Sequence, residues 1–236
     1  MVECDLAKVD VAGSNPVSRS KVSSQADTMK NSLLLFALAT SVAFGQYKME
    51  PAGAPPADVA PAFASMLQQQ GIKILASSGS VYCEVWFRTQ APSGPKATDD
   101  AVTLPTIPQG ALLGVIRFEG PAQDRRGQPL KPGIYTLRYS QYPVNGDHQG
   151  VAPQRDFALL VPAAEDKDPN ATPAFDALVA MSNKASGTPH PAVLSLANSL
   201  SDKFPSFSKQ GDHDWTLDTK LGDLSISIIL IGKVEA

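Results

Sequence analysis

From Val81 to Arg88 the chain alternates strictly, with Val81, Cys83, Val85 and Phe87 on one side and Tyr82, Glu84, Trp86 and Arg88 on the other. A period of two places successive side chains on opposite faces of a strand, whereas a helix would scatter them around its circumference. Similar short segments recur. Ile72 to Ser77 precedes this one across Ser78-Gly79-Ser80, which reads as a hairpin. Ala111 to Glu119 and Ile134 to Tyr142 follow, then Phe157 to Val161, Ala192 to Ala197, Trp215 to Thr219 and Leu224 to Val234. Phe157 to Val161 is apolar on both faces, as expected of a central strand covered on both sides. Most of the 20 prolines fall between these segments, four of them in the loop-like stretch from Ala91 to Pro108. No strand and helix alternate in a βαβ rhythm. The pattern predicts a mainly β chain, an antiparallel two-sheet β-sandwich with two short peripheral helices, and an up-and-down barrel is the alternative.

The first helix is expected after Asp58, with Val59, Phe63, Met66 and Leu67 on one face and Gly71 as a stop. Thr172-Pro173 opens the second, in which Phe175, Leu178 and Val179 share the buried face and the end falls between Lys184 and Gly187. Residues 46–57, with Pro51, Pro55 and Pro56, read as an extended solvated lead-in, so the expected domain is 58–236.

Ahead of it, Met29-Lys30-Asn31-Ser32, an apolar run from Leu33 to Ala39, and Ala43-Phe44-Gly45 before Gln46 have the three parts of a cleavable export signal. The run is well below the roughly 20 apolar residues that span a bilayer. This predicts a signal peptide at 29–45, cleavage near Gly45, and a bacterial product that is secreted or periplasmic with no membrane span in its mature form. Residues 1–28 lack apolar periodicity and predict a disordered extension, with Met29 as the true start.

The 20 Lys and Arg are dispersed among 23 Asp and Glu, for a net charge of −3, which argues against a nucleic-acid partner. Cys83 is the lone cysteine after the signal and falls on the apolar side of its strand, the position of an inert thiol.

Two groups of residues stand out as candidate sites. The three histidines are His148, His190 and His213, and Gly-Asp-His occurs twice, as Gly146-Asp147-His148 and Gly211-Asp212-His213. Imidazoles with carboxylates suit a divalent metal, so His148, His213, Asp147, Asp156 and Asp212 are the candidate ligands, although no motif requires a cofactor. The second group is the outward face of the alternating strand. Tyr82, Glu84, Trp86 and Arg88 there could stack on and hydrogen-bond a sugar ring, unless the first helix or a loop covers them. Arg138, amid Tyr135, Leu137 and Tyr139, reads as a cation on the sheet surface. Gly-x-Ser-x-Gly, His-Glu-x-x-His and glycine-rich phosphate loops are all missing.

Lys131-Pro132-Gly133-Ile134-Tyr135-Thr136-Leu137-Arg138-Tyr139, Gly146-Asp147-His148-Gln149-Gly150-Val151 and Arg155-Asp156-Phe157 together resemble a group of secreted bacterial proteins with no assigned activity. The Pro-Gly-x-Tyr-x-Leu element alone is similar to transthyretin-like and carboxypeptidase-regulatory-like sandwiches. The resemblance implies export and a β-sandwich, and brings no catalytic residues. The function expected is a non-catalytic binding or interaction module for a glycan or an envelope protein. A metal-dependent enzyme or metal-handling protein using the loop His and Asp residues is the alternative.

Overall fold

A computed structural model describes residues 47–143 and 154–234. The strands in chain order are β1 (Lys48–Pro51), β2 (Ile72–Leu75), β3 (Val81–Phe87), β4 (Leu112–Phe118), β5 (Ala122–Gln123), β6 (Pro129–Leu130), β7 (Gly133–Gln141), β8 (Asp156–Pro162), β9 (Val193–Asn198), β10 (Ser206–Gln210), β11 (Asp214–Leu221) and β12 (Leu224–Ile231). The helices are α1 (Pro61–Ala64) and α2 (Phe175–Ser186). The fold is mainly β with two short helices, as the sequence pattern predicts.

Where that pattern suggests two stacked sheets, the hydrogen bonds run through ten antiparallel strands as one sheet, in the order β1-β2-β3-β4-β7-β8-β9-β12-β11-β10. Continuity depends on β9. Its first half, Val193 to Ser195, pairs with β8, and its second half, Leu196 to Asn198, pairs with β12. One strand thereby turns the sheet a corner. The outermost strands β1 and β10 lie side by side, so the sheet is nearly barrel-shaped.

The inside of the curve is apolar and filled. Ile74, Val85, Ile116, Leu137, Leu160, Leu194, Leu217 and Ile228, one or more from almost every long strand, pack there with Cys83. Burying each large aliphatic side chain stabilises the fold by about 1.5–3 kcal/mol. The outside is covered in parts. Val59, Phe63 and Leu67 pack over Trp86, Leu112 and Val115, while Leu178 of α2 packs over Phe157, Leu159, Val161 and Val193. β8 is thus buried on both faces, as its composition predicts.

Three elements depart from the sequence reading. The proline-rich lead-in contributes a strand, because Lys48 to Pro51 pairs with β2, and so the folded unit begins before residue 58. The helix expected from Asp58 shrinks to one turn with Ala60 as its N-cap. Beyond it Leu67 bridges to Arg88 and the Gln68 N–H donates to the Phe87 carbonyl, which draws the chain out alongside β3. Ser206–Gln210 is a strand that the pattern does not reveal, since Phe207 is its one large apolar residue. α2 runs as predicted and stops at Gly187, whose φ of 67° is the left-handed conformation glycine adopts without strain.

Because neighbouring strands reverse direction, Tyr47, Tyr82, Phe118, Tyr135, Trp215 and Ile231 all come to one end of the barrel. The small hairpin β5–β6 and residues 232–234 sit at this end. The opposite end is closed by residues 88–111, which fold inward so that Leu104 and Ile107 join the core. Asp156, the first residue of β8, holds that segment down. Its carboxylate accepts from the Thr103 N–H at 2.8 Å, the Thr103 hydroxyl at 2.9 Å, the Leu104 N–H at 3.3 Å and the Tyr139 hydroxyl at 2.6 Å.

Among the described residues no helix is long and apolar enough to cross a membrane.

Candidate functional site

The four residues of the alternating strand do not share one open face. Trp86 is 2% exposed beneath the segment that carries α1, and its indole N–H donates to the Gly53 carbonyl at 2.8 Å. Gly71 lies so close that a Cβ there would stand 2.3 Å from Nε1 of the indole. Glu84 is held by Arg117 on the next strand, within a cross-strand row of alternating charge that runs Glu50, Lys73, Glu84, Arg117. Arg88 is partly buried, and burial together with the nearby Arg138 guanidinium holds it below its ordinary value. Tyr82 leaves the row altogether. The register of β2 on β3 slips between Ile74 and Leu75, which pair with Cys83 and Val81, and the intervening Tyr82 packs against the interior cluster.

The metal candidates are likewise divided. Asp156 is 0% exposed at the closed end, with both carboxylate oxygens taken up by the four bonds above, so it has no free lone pair to offer a cation. Asp212 and His213 occupy the turn between β10 and β11, at the other end. Asp147 and His148 lie outside the described residues. Among the described residues no three His, Cys, Asp or Glu side chains stand close enough to hold a metal.

Arg138 is a surface cation in the sequence reading but is fully buried in the fold, because residues 163–172 lie over it. Its Nε and Nη2 donate to the two Asp166 oxygens at 2.7 Å, and its remaining N–H groups reach the carbonyls of Gly110, Asp168 and Ala171. All five donors are used, which makes it an anchor for the overlying loop and leaves nothing for a ligand.

Tyr82 leads instead to the open end of the barrel. Six rings form a continuous chain there. Phe207 stacks on Trp215 at 5.4 Å, Trp215 meets Tyr47 edge-on at 5.4 Å, and Tyr47 meets Tyr82 at 5.8 Å. Tyr82 then meets Phe118 at 5.8 Å, and Phe118 meets Tyr135 at 6.0 Å. These edge-on contacts join strands from both ends of the sheet order, each worth about 0.5–1.5 kcal/mol beyond area burial. Above Tyr47 and Tyr82 is a concavity of about 490 Å³, walled by Pro121 and Pro129 with Gln123 and Lys233 as its polar side chains. Burial pushes the Tyr82 phenol above its ordinary 10.0, opposed by a hydrogen bond between its hydroxyl and the Gln123 backbone.

The walls of this concavity are fixed by the turn after β5. Asp124 is 1% exposed and accepts from the backbone N–H groups of Arg126, Gln128 and Val193, which shapes the turn and ties it to β9. Arg125 forks onto Asp214 of β11, with one of its two bonds at 2.8 Å, and its carbonyl accepts the Val234 N–H at 3.0 Å. The site thus has rigid ring surfaces, two phenols, an amide and an ammonium, and no paired nucleophile and base. That inventory suits binding and orienting a ring-shaped polar molecule.

A second concavity of about 500 Å³ lies on the outer face of β10, β11 and β12, among Ser206, Ser208, Thr216 and Ser227. Its carboxylate, Asp218, accepts from the Ser199 hydroxyl at 2.6 Å. It has no aromatic surface. Sequence reasoning singled out Tyr82 but missed Tyr47 and Lys233, which lie outside any alternating run.

No protein-family model matches the chain, no curated protein matches it, and no solved structure matches it. The geometry of the site alone therefore carries the functional reading.

Proposed function

We propose that this protein is an exported, non-catalytic binding module of the periplasm or cell exterior that takes a glycan at the aromatic end of its barrel. The export signal at 29–45 supports the compartment. The single observation that carries the ligand class is the pairing of Tyr47 and Tyr82 beneath a concavity of about 490 Å³ whose polar groups stand at its wall. A sugar ring has an apolar C–H face and a rim of hydroxyls. The rings supply the surface for the first, and Gln123, the phenols and Lys233 supply partners for the second.

Pre-organisation favours this reading, because the edge-on ring contacts and the Asp124 turn hold the walls before any ligand arrives, so little freedom is lost on binding. A glycan array followed by calorimetric titration of the best ligand tests it. Tyr47→Ala and Tyr82→Ala should each weaken binding about tenfold, and Tyr82→Phe should retain most of it. Binding that is unaffected by both alanine variants, or turnover of a small substrate by the pure protein, would overturn the reading.

A further inference from the structure

We infer that Lys233 makes the aromatic end selective for acidic glycans, those carrying a uronate carboxylate, over their neutral counterparts. This inference rests on the reading of that end as a glycan site.

Lys233 is held in place at three points. Before it, Gly232 is wedged against the Arg125–Asp214 pair, where a Cβ would stand 2.2 Å from the Asp214 carboxylate. Its φ of 138° is open to glycine and strained for other residues. After it, the Val234 N–H is bonded to the Arg125 carbonyl at 3.0 Å. The arm of Lys233 lies across Gly127, since a Cβ built on that glycine would come within 2.8 Å of Cε. Gly127 has a φ of 77°, so the turn needs a glycine there and the bare backbone is what the lysine stem rests on.

Charge adds a second, independent argument. The residues around the concavity include Lys233 and, among the described residues, no Asp or Glu. The carboxylate nearest to Gly232, Asp214, is already forked by Arg125. The chain carries a net charge of −3, yet the lining of this concavity has Lys233 as its one charged side chain, beside two rings. A ligand that stacks on the tyrosines and places a carboxylate at the wall meets an ammonium that makes no ion pair among the described residues. A neutral sugar of the same shape loses only that contact.

The test is a calorimetric titration of the full exported chain with a galacturonic acid trisaccharide and with the neutral galactose trisaccharide, at low and at high salt. The acidic sugar should bind about fivefold more tightly at low salt, the size expected of a pair formed by an exposed lysine, and the difference should shrink at high salt. Lys233→Met keeps the stem over Gly127 and should abolish the preference, bringing the acidic sugar down to the affinity of the neutral one, and Lys233→Arg should keep it. Equal affinity for the two sugars, or a preference that survives Lys233→Met, overturns the inference and leaves the glycan site standing. If neither sugar binds and no other glycan does, both readings fall together.

Discussion

Tyr139 and Asp156 meet at 2.6 Å inside the barrel wall, the phenol donating to the carboxylate that also holds down the segment closing that end. Both side chains are 0% exposed. The sequence suggests Asp156 as a metal ligand because it adds a carboxylate to those beside the loop histidines. In the fold it is an acceptor that organises the 88–111 segment, gathering donors of Thr103, Leu104 and Tyr139 around one negative charge.

Removing that carboxylate should therefore unfold the closed end. Asp156→Ala leaves three donors from the plug segment and the Tyr139 hydroxyl without a buried acceptor, at a cost of about 2–4 kcal/mol. Tyr139→Phe loses one bond and should cost about 1 kcal/mol. Urea unfolding monitored by far-UV circular dichroism measures both. Equal losses in the two variants would mean that the Thr103 and Leu104 bonds contribute nothing.

Arg138 and Asp166 form a buried ion pair that can be tested in the same way. Arg138→Met removes a guanidinium with five satisfied donors and strands the Asp166 carboxylate, 2% exposed, with the Thr136 hydroxyl at 2.6 Å as its one remaining side-chain partner among the described residues. The expected cost is about 3–5 kcal/mol. Loss of the anchor should also expose residues 163–172 to limited proteolysis, since their carbonyl contacts go with it. A variant as resistant as the wild type would show that the loop is held by other means.

Trp86 and Tyr82, four residues apart in the sequence and expected on one face, should respond to substitution in opposite ways. Trp86→Ala empties the site under Val59, Phe63 and Leu67 and should cost about 3–5 kcal/mol of stability, with glycan affinity unchanged in the folded fraction. Tyr82→Ala should lose affinity with a smaller loss of stability, because the ring is only partly buried. The readouts are a denaturant titration and a binding titration on the same preparations. A Trp86 variant that folds normally and loses binding would return the site to the outer face of β3.

The contrast between those two residues also explains how far the sequence could be read. Alternation identifies β3 and its apolar side correctly, because burial of Cys83, Val85 and Phe87 enforces the period. It cannot reveal what lies over the other side, since the cover on Trp86 comes from a different segment that meets it only through tertiary packing. Nor does it reveal the slip opposite Leu75 that redirects Tyr82. Arg138 shows the same limit, for its outward placement follows from the period of β7 while its burial depends on Asp166 in a loop with no pattern. The aromatic end is the least legible feature. Tyr47, Tyr82 and Lys233 come from widely separated parts of the chain, and only the closing of the sheet brings them to one place. The difference between two sheets and one turns on β9 dividing its pairing between two neighbours, which composition does not encode.

Alkaline pH should destabilise the fold through groups buried in their neutral form. Burial pushes the Cys83 thiol above its ordinary 9.0, with the Glu84 carboxylate adding to the effect. Burial also pushes the Tyr139 phenol above its ordinary 10.0, reinforced by its bond to Asp156. In the unfolded chain both groups titrate near their ordinary values, so between those values and the raised ones the native state binds more protons than the unfolded state. Stability is fully present below about pH 9 and falls as pH rises beyond it, by about 1.4 kcal/mol per pH unit for each proton that differs. Urea midpoints measured from pH 7 to 11 should show a plateau followed by a steepening loss. Tyr139→Phe, which has no phenol to ionise, should start from lower stability and decline less steeply above pH 10. A variant with the same slope as the wild type would place the alkaline sensitivity elsewhere in the molecule.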